Sequence, residues 1–177
     1  MPRFNRTAHR ISLTAMFASM SLLFLYLSSI LPAGRIAAYF LSSVFVMGLV
    51  LEEEIGLAFL MFAAVSLLSL LMIPPATLRT VPYVLFFGHY GIGKYYIQRR
   101  FRDKIVSYAF KLLYYNAALA LMYLLAYSLV EQEVLSSGLP IWALILIAEA
   151  AFVLYEYLFT RLTSYYYVNI RRFIMKN

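Results

Sequence analysis

The residues of this chain that could do chemistry are polar and charged side chains embedded in long apolar stretches. An isolated charge at the centre of a membrane helix costs about 2.5–3.5 kcal/mol, so such side chains usually face the interior of a helix bundle and find a partner there. Their positions are therefore the first guide to a site. The group comprises His89, Lys94, Lys111, Asn116, Glu149 and Glu156.

Three of these residues fall at one depth near the basic ends of their helices. The membrane boundary lies at these basic ends. At a rise of about 1.5 Å per residue, Lys94, Lys111 and Glu156 lie roughly 6–9 Å from it. We expect them to form an ion-paired layer that fixes helix register, although Lys94 could also extend toward the membrane surface.

The other three residues fall deeper, about 13–17 Å from the same boundary. His89, Asn116 and Glu149 bring an imidazole, an amide and a carboxylate to one level, where they could bind a polar ligand, relay a proton or satisfy one another. His89 lies five residues before Lys94 and on a different helix face, so the two cannot share a partner. Two histidines and no cysteine are too few for a metal centre, and no cofactor is expected.

A third set belongs to the opposite end of the helices. Arg79 lies within the proline-containing loop from Pro74 to Pro82, and Tyr83 directly follows it. Trp142 lies near the start of the last apolar stretch, and Arg35, Glu131 and Glu133 complete the set. They could line a capped ligand pocket open to the outside, or the two aromatic residues could simply mark the membrane interface.

The composition defines the setting of these residues. Hydrophobic residues make up 64% of the 177-residue chain and charged residues 13%, against roughly 45–50% and 25% in soluble proteins. The net charge of +7 comes from basic residues at the ends of apolar stretches, which favours membrane topology over nucleic-acid binding. No nucleophile elbow, phosphate loop or metalloprotease motif occurs, so an enzyme is not expected. The composition therefore predicts an integral protein of the lipid bilayer.

Six stretches have the length and apolar character of transmembrane helices. We therefore predict an all-α, six-helix bundle forming a single transmembrane domain over residues 1–177. The predicted helices cover residues 11–31, 36–51, 55–73, 81–98, 105–130 and 139–160, and a basic tail covers 161–177.

The distribution of lysine and arginine predicts the orientation. With the N-terminus in the cytoplasm, only Arg35 and Arg79 fall outside, so the positive-inside rule places both termini in the cytoplasm of a multi-pass cell-membrane protein. The residues on the inner side are Arg3, Arg6, Arg10, Arg99, Arg100, Arg102, Lys104, Arg161, Arg171, Arg172 and Lys176.

The first helix carries a stripe of small residues. In "ISLTAMFASMSLLF" these are Ala15, Ala18 and Ser19, which follow a basic N-terminus. The stripe, the six-helix plan and "VPYVLFFGHYGIGKYYIQRR" resemble the substrate-binding S components of energy-coupling factor (ECF) transporters.

This resemblance implies a subunit that captures a vitamin or other small nutrient at the outer face. The small-residue stripe would dock on a transmembrane coupling partner that works with ATPases. The ligand contacts that the resemblance implies are Arg79, Tyr83, Trp142, His89, Asn116 and Glu149.

Two other functions remain open. The chain is also similar in size and helix number to membrane scaffolds of cell-shape machinery, in which the stripe would bind a morphogenetic partner and the polar layers would only hold helices together. A lipid-handling protein, whose cationic layer receives a phosphate headgroup, is the third reading. A ligand-sized cavity at the outer face would distinguish a substrate-capture subunit from a scaffold.

Overall fold

The computed structural model describes residues 3–31, 34–72, 80–129 and 141–170, and all regular structure in these ranges is helical. The predicted all-α fold is thus confirmed for this part of the chain. The α-helices are α1 (Arg3–Ile30), α2 (Arg35–Leu51), α3 (Ile55–Met72), α4 (Gly88–Arg100), α5 (Lys104–Leu129) and α6 (Ile141–Tyr165). Two π-helical segments accompany them, Tyr83–Phe87 directly before α4 and Tyr166–Ile170 directly after α6.

Three helices in the described ranges are long and apolar enough to cross a membrane. They are Ala8–Ile30 in α1, Ile55–Met72 in α3 and Lys104–Leu125 in α5. The 17 residues of α2 are also apolar but span only about 26 Å, slightly less than a bilayer core of ~30 Å. These helices indicate a membrane protein.

The first and last helices extend further than hydropathy indicates. Helix α1 already begins at Arg3, and helical structure continues from α6 through Ile170, into the segment predicted as a basic tail. Neither stretch contains proline or glycine, so the backbone has no reason to leave the helix where the apolar residues stop. Hydropathy marks where lipid ends, which is a different boundary from the end of the helix.

The chain divides into two compact units, Met1–Lys111 and Leu112–Asn177, and the single transmembrane domain stays a prediction. In the first unit, successive helices alternate in direction. Arg10 forms an ion pair with Glu54 at one end, and Arg35 Nε donates to the Leu31 carbonyl, 3.1 Å away, at the other end. Helices α1 and α2 are therefore antiparallel.

The turns of this unit depend on left-handed backbone conformations. Gly34 has a φ of 86° and lets the chain reverse between α1 and α2, whereas Glu53 adopts a φ of 62° between α2 and α3. A left-handed conformation costs a non-glycine residue roughly 1–2 kcal/mol. The second turn therefore contains local strain that the packing of α2 and α3 must offset.

Helix α4 packs closely against α2. A Cβ built on Gly91 would lie 3.4 Å from the Met47 Cα, and the rings of Tyr39 and Phe87 have centroids 5.5 Å apart. Tyr39 contacts Phe87, and Met47, later in α2, contacts Gly91, later in the chain. Helix α4 therefore runs parallel to α2. Its C-terminal arginines therefore lie at the end of the unit that contains Arg10.

The second unit contains most of α5 and all of α6. One face of α6 is buried, with Phe152, Tyr155, Glu156 and Phe159 at the i, i+3, i+4 and i+7 positions. The ring of Phe152 stacks on Tyr115 of α5 with centroids 4.5 Å apart. Aromatic packing therefore joins these two helices.

Candidate functional site

A cluster of buried hydroxyl groups joins three helical elements of the first unit. The Oγ atoms of Ser21 and Ser42 lie 2.6 Å apart, and the Tyr83 hydroxyl lies 3.3 Å from Ser21 Oγ. Ser42 Oγ also lies within donating distance, 3.0 Å, of the Ser21 carbonyl. All three side chains are completely buried. Tyr83, predicted as a ligand contact, is thus part of the packed interior, and its ligand role stays a prediction.

The π-helical segment sets the direction of Tyr83. The Gly88 N–H donates to the Tyr83 carbonyl, five residues earlier, so this turn holds one residue more than an α-turn. Single π-turns inside helices often occur at functional sites because they reorient side chains. Here the extra residue directs Tyr83 at the serines and changes the register of the residues that follow.

His89 follows directly after this segment and is half-buried. Its ring makes an edge contact with Phe62, with centroids 5.2 Å apart, and it hydrogen-bonds the backbone of Val84 and Leu85 in the preceding turns. His89 belongs to the first unit, whereas Asn116 and Glu149 belong to the second. The predicted grouping of the three residues at one level stays a prediction.

The structure brings Asn116 and Glu149 into direct contact. Asn116 Nδ2 donates to Glu149 Oε1 at 2.8 Å and also lies 3.0 Å from the Leu112 carbonyl. One turn away, the Tyr115 hydroxyl donates to the Ala148 carbonyl at 2.8 Å. Asn116 is exposed and Glu149 is half-buried. This is therefore an accessible polar pair in the middle of two apolar helices.

The face of α6 that is buried at Phe152 and Phe159 becomes exposed toward the N-terminal end of the helix. Phe159 and Phe152 are each 1% exposed and Glu156 is 7% exposed, but Trp142, on the same face, is 67% exposed. Trp142, Glu149 and Glu156 are spaced seven residues apart and follow one side of the helix. Two predicted ligand residues thus lie where this face is uncovered.

The predicted ion-pair layer consists of buried residues. Lys94 is 2% exposed, Lys111 6% and Glu156 7%. Lys94 follows the buried residues Phe86 and Tyr90 at intervals of four residues. Lys94 and Lys111 belong to the first unit and Glu156 to the second, and their mutual pairing stays a prediction.

The small residues of α1 lie on its uncovered side. Phe17 is buried against α2, and Ala15 and Ser19 are two residues from it in either direction, about 200° around the helix. Both are exposed, and Ala18 is half-buried. Ser19 Oγ donates to the Ala15 carbonyl at 2.9 Å, so its hydroxyl is satisfied within the helix.

No family model, no curated protein and no solved structure matches this chain. Its function must therefore be argued from the residues themselves. Among the described residues, no three histidine, aspartate or glutamate side chains group closely enough to hold a metal ion. Arg79, predicted as a ligand contact, lies outside the described residues.

One site was not anticipated from the sequence. A cavity of about 400 Å³, the corner cavity, lies where α4 meets α5 within the first unit. A stripe of polar residues at the start of α5 is the sequence signal that could have revealed it. The lining residues are Gln98, Phe101, Arg102, Asp103, Lys104, Ser107, Tyr108 and Lys111.

Proposed function

We propose that this chain is the substrate-capture subunit of an uptake transporter, similar to an ECF S component, and that it binds its substrate without chemically changing it. The observation that carries the proposal is the Asn116–Glu149 pair. Glu149 Oε1 accepts from Asn116. Among the described residues, the second carboxylate oxygen of Glu149 accepts no hydrogen bond.

An incompletely paired carboxylate at membrane depth needs another partner. Asn116 is the thirteenth residue of the 22-residue candidate span that begins at Lys104, which is close to its middle. A buried or lipid-facing carboxylate is stabilised by hydrogen-bond donors that replace water. A small molecule with amine, amide or hydroxyl groups would supply these donors, and the uncovered Trp142 would add an aromatic surface on the same side of α6.

The small residues of α1 support docking on a membrane partner. Small residues allow two membrane helices to approach closely, and this chain already uses Gly48 and Gly91 for this purpose inside the first unit. Ala15 and Ser19 are of the same kind but remain uncovered. We therefore assign this side of α1 to a transmembrane coupling subunit that works with ATPases.

The proposal includes six membrane crossings in the cell membrane, with both termini in the cytoplasm. The alternating directions of α1 to α4 and the excess of lysine and arginine on one side support it. Because the chain has no cysteine, single-cysteine variants report orientation directly. In intact cells, a membrane-impermeant maleimide should label Arg35→Cys but not Arg100→Cys, and the reverse pattern would contradict the orientation.

Mass spectrometry of small molecules retained by the purified chain tests the binding function. We expect one compound at close to equimolar amount in the unmodified protein and its loss in Glu149→Gln. Tyr115→Phe is the matched control, because it removes a hydrogen bond between the same helices but keeps the ring. A protein that retains no compound, whatever the purification conditions, would favour the scaffold instead.

A further inference from the structure

The corner cavity contains three cationic residues and one acidic residue. Arg102 and Lys104 are exposed near its opening, and Lys111 is buried in its wall, with 6% exposure. Asp103 is the acidic residue, and its Oδ1 accepts from the Ile105 N–H at 2.9 Å. The carboxylate is thus engaged in capping α5, and the two exposed cations, Arg102 and Lys104, outnumber it at the cavity.

One face of α5 forms the long wall of this cavity. Lys104, Ser107, Tyr108 and Lys111 occupy the i, i+3, i+4 and i+7 positions, which lie on one side of a helix. From Lys104 to Lys111 the wall rises about 10 Å. Two ammonium groups therefore bracket two hydroxyl groups along a single wall.

Ser107 supplies an observation independent of charge. Its side chain is 5% exposed, and its Oγ has no hydrogen-bond partner among the described residues. A buried hydroxyl without a partner is uncommon in proteins and calls for an explanation. Because Ser107 lines the cavity, an acceptor bound there would provide the missing partner.

The junction that forms the cavity is held by its own contacts. Phe101 lines the cavity, its N–H donates to the Ile97 carbonyl at 2.9 Å, and its ring stacks on Phe110 with centroids 4.2 Å apart. The Ser107 N–H donates to the Asp103 carbonyl at 2.9 Å. The backbone that carries the cavity residues is therefore held in place by contacts within the protein.

We propose that the corner cavity binds a phosphate group. The ligand is an anion with several acceptor oxygens, because arginine and lysine donate to such oxygens with charge assistance and Ser107 offers a further hydroxyl donor. A phosphate is compact enough for the cavity, and Arg102 can contact two of its oxygens at once.

The headgroup of an anionic lipid is one source of this phosphate, and free phosphate is the other. The cavity adjoins the first residues of the candidate span Lys104–Leu125. If this helix crosses a bilayer, its end and the cavity lie near the lipid headgroups. Ile105, on the same turn as Lys104, is 80% exposed and would contact acyl chains. Basic cavities at the cytoplasmic ends of membrane helices commonly bind anionic headgroups.

Native mass spectrometry of the full chain in detergent tests the proposal, with phosphatidylglycerol, phosphatidylcholine and inorganic phosphate as separate probes. Arg102→Gln should weaken phosphatidylglycerol binding about tenfold, which is the loss expected for one charge-assisted hydrogen bond. Arg100→Gln is the matched control, because it removes an equal charge from the same junction but outside the cavity lining. It should change binding less than about twofold.

Ser107→Ala separates ligand binding from folding. This substitution removes a hydroxyl that has no partner among the described residues, so the melting temperature without ligand should stay the same or rise, while phosphatidylglycerol binding weakens about fivefold. A melting temperature that falls in parallel with binding would overturn the ligand role of Ser107.

The three probes identify the source of the phosphate. Phosphatidylglycerol that binds and resists millimolar inorganic phosphate supports a lipid, and its displacement by inorganic phosphate supports a soluble ligand in the same cavity. Equal retention of phosphatidylcholine, or equal weakening by Arg100→Gln and Arg102→Gln, would overturn the proposal. These outcomes are independent of Glu149, so they do not depend on the substrate-capture function.

Discussion

Two polar contacts between helices differ in how they are enclosed. The hydroxyl cluster of Ser21, Ser42 and Tyr83 is completely buried, whereas the Asn116–Glu149 pair contains an exposed amide and a half-buried carboxylate. Closed polar contacts stabilise helix packing because each group is satisfied within the protein. An open pair with a spare acceptor is available to a ligand. The difference separates a structural region from a candidate binding region.

The largest expected effect concerns the two glutamates on one face of α6. Glu156 is buried and Glu149 is half-buried. If Glu156 pairs with a buried lysine as predicted, Glu156→Gln leaves that lysine uncompensated and should lower the free energy of unfolding by about 3–5 kcal/mol. The decrease in melting temperature in detergent measures this loss of stability. An unchanged melting temperature would show that Glu156 is not paired with a buried cation.

The second prediction concerns the closed cluster. Ser42→Ala removes the hydroxyl that contacts Ser21 and leaves a buried group incompletely satisfied, so stability should fall by about 1–3 kcal/mol. Ser19→Ala is the matched control, because the Ser19 hydroxyl donates only within α1 and is exposed. Its melting temperature should barely change. Equal losses in both variants would mean that burial does not distinguish the two serines.

The third prediction tests the packing around the π-helical segment. A Cβ on Gly88 would lie 2.6 Å from Phe62 and 2.9 Å from the fully buried Tyr83 ring. Gly88→Ala should therefore destabilise the first unit by about 1–3 kcal/mol through overpacking. Gly56→Ala is the control, since a Cβ there meets no atom within 4 Å, and it should stabilise α3 by up to about 1 kcal/mol. Two changes of the same sign in melting temperature would contradict this account.

The smallest predicted effect is a gain. Glu53 adopts a left-handed conformation that glycine tolerates without a steric penalty, so Glu53→Gly should raise stability by about 1 kcal/mol. Gly34→Ala is the converse change at the other turn, where φ is 86°, and it should lower stability by a similar amount. Thermal melting of both variants tests the strain assigned to the two turns.

Much of the helical architecture was predictable because apolar length and proline positions determine it. The predicted starts of α2, α3 and α5 agree with the structure within one residue. The stripe through Glu149 and Glu156 also follows directly from helix periodicity. The structure brings Asn116 and Glu149 into the direct contact that their similar depths had left as one possibility.

Other features could not be read from one sequence. The π-helical segment changes the register after Tyr83, but no residue type marks such an insertion. Serines occur in many membrane helices, so Ser21 and Ser42 gave no signal until α1 and α2 were seen to cross there. The corner cavity depends on the angle between two helices, which hydropathy does not determine.

The central claim is that the open Asn116–Glu149 pair binds a substrate, whereas the buried contact of Ser21 with Ser42 holds helices together. Measuring both the melting temperature and the amount of retained small molecule in Glu149→Gln and Ser42→Ala tests it most directly. We expect Glu149→Gln to lose the ligand with a stability change below about 1 kcal/mol, and Ser42→Ala to retain the ligand while melting earlier. A Glu149→Gln protein that keeps its ligand, or a Ser42→Ala protein that loses it without melting earlier, would contradict the claim.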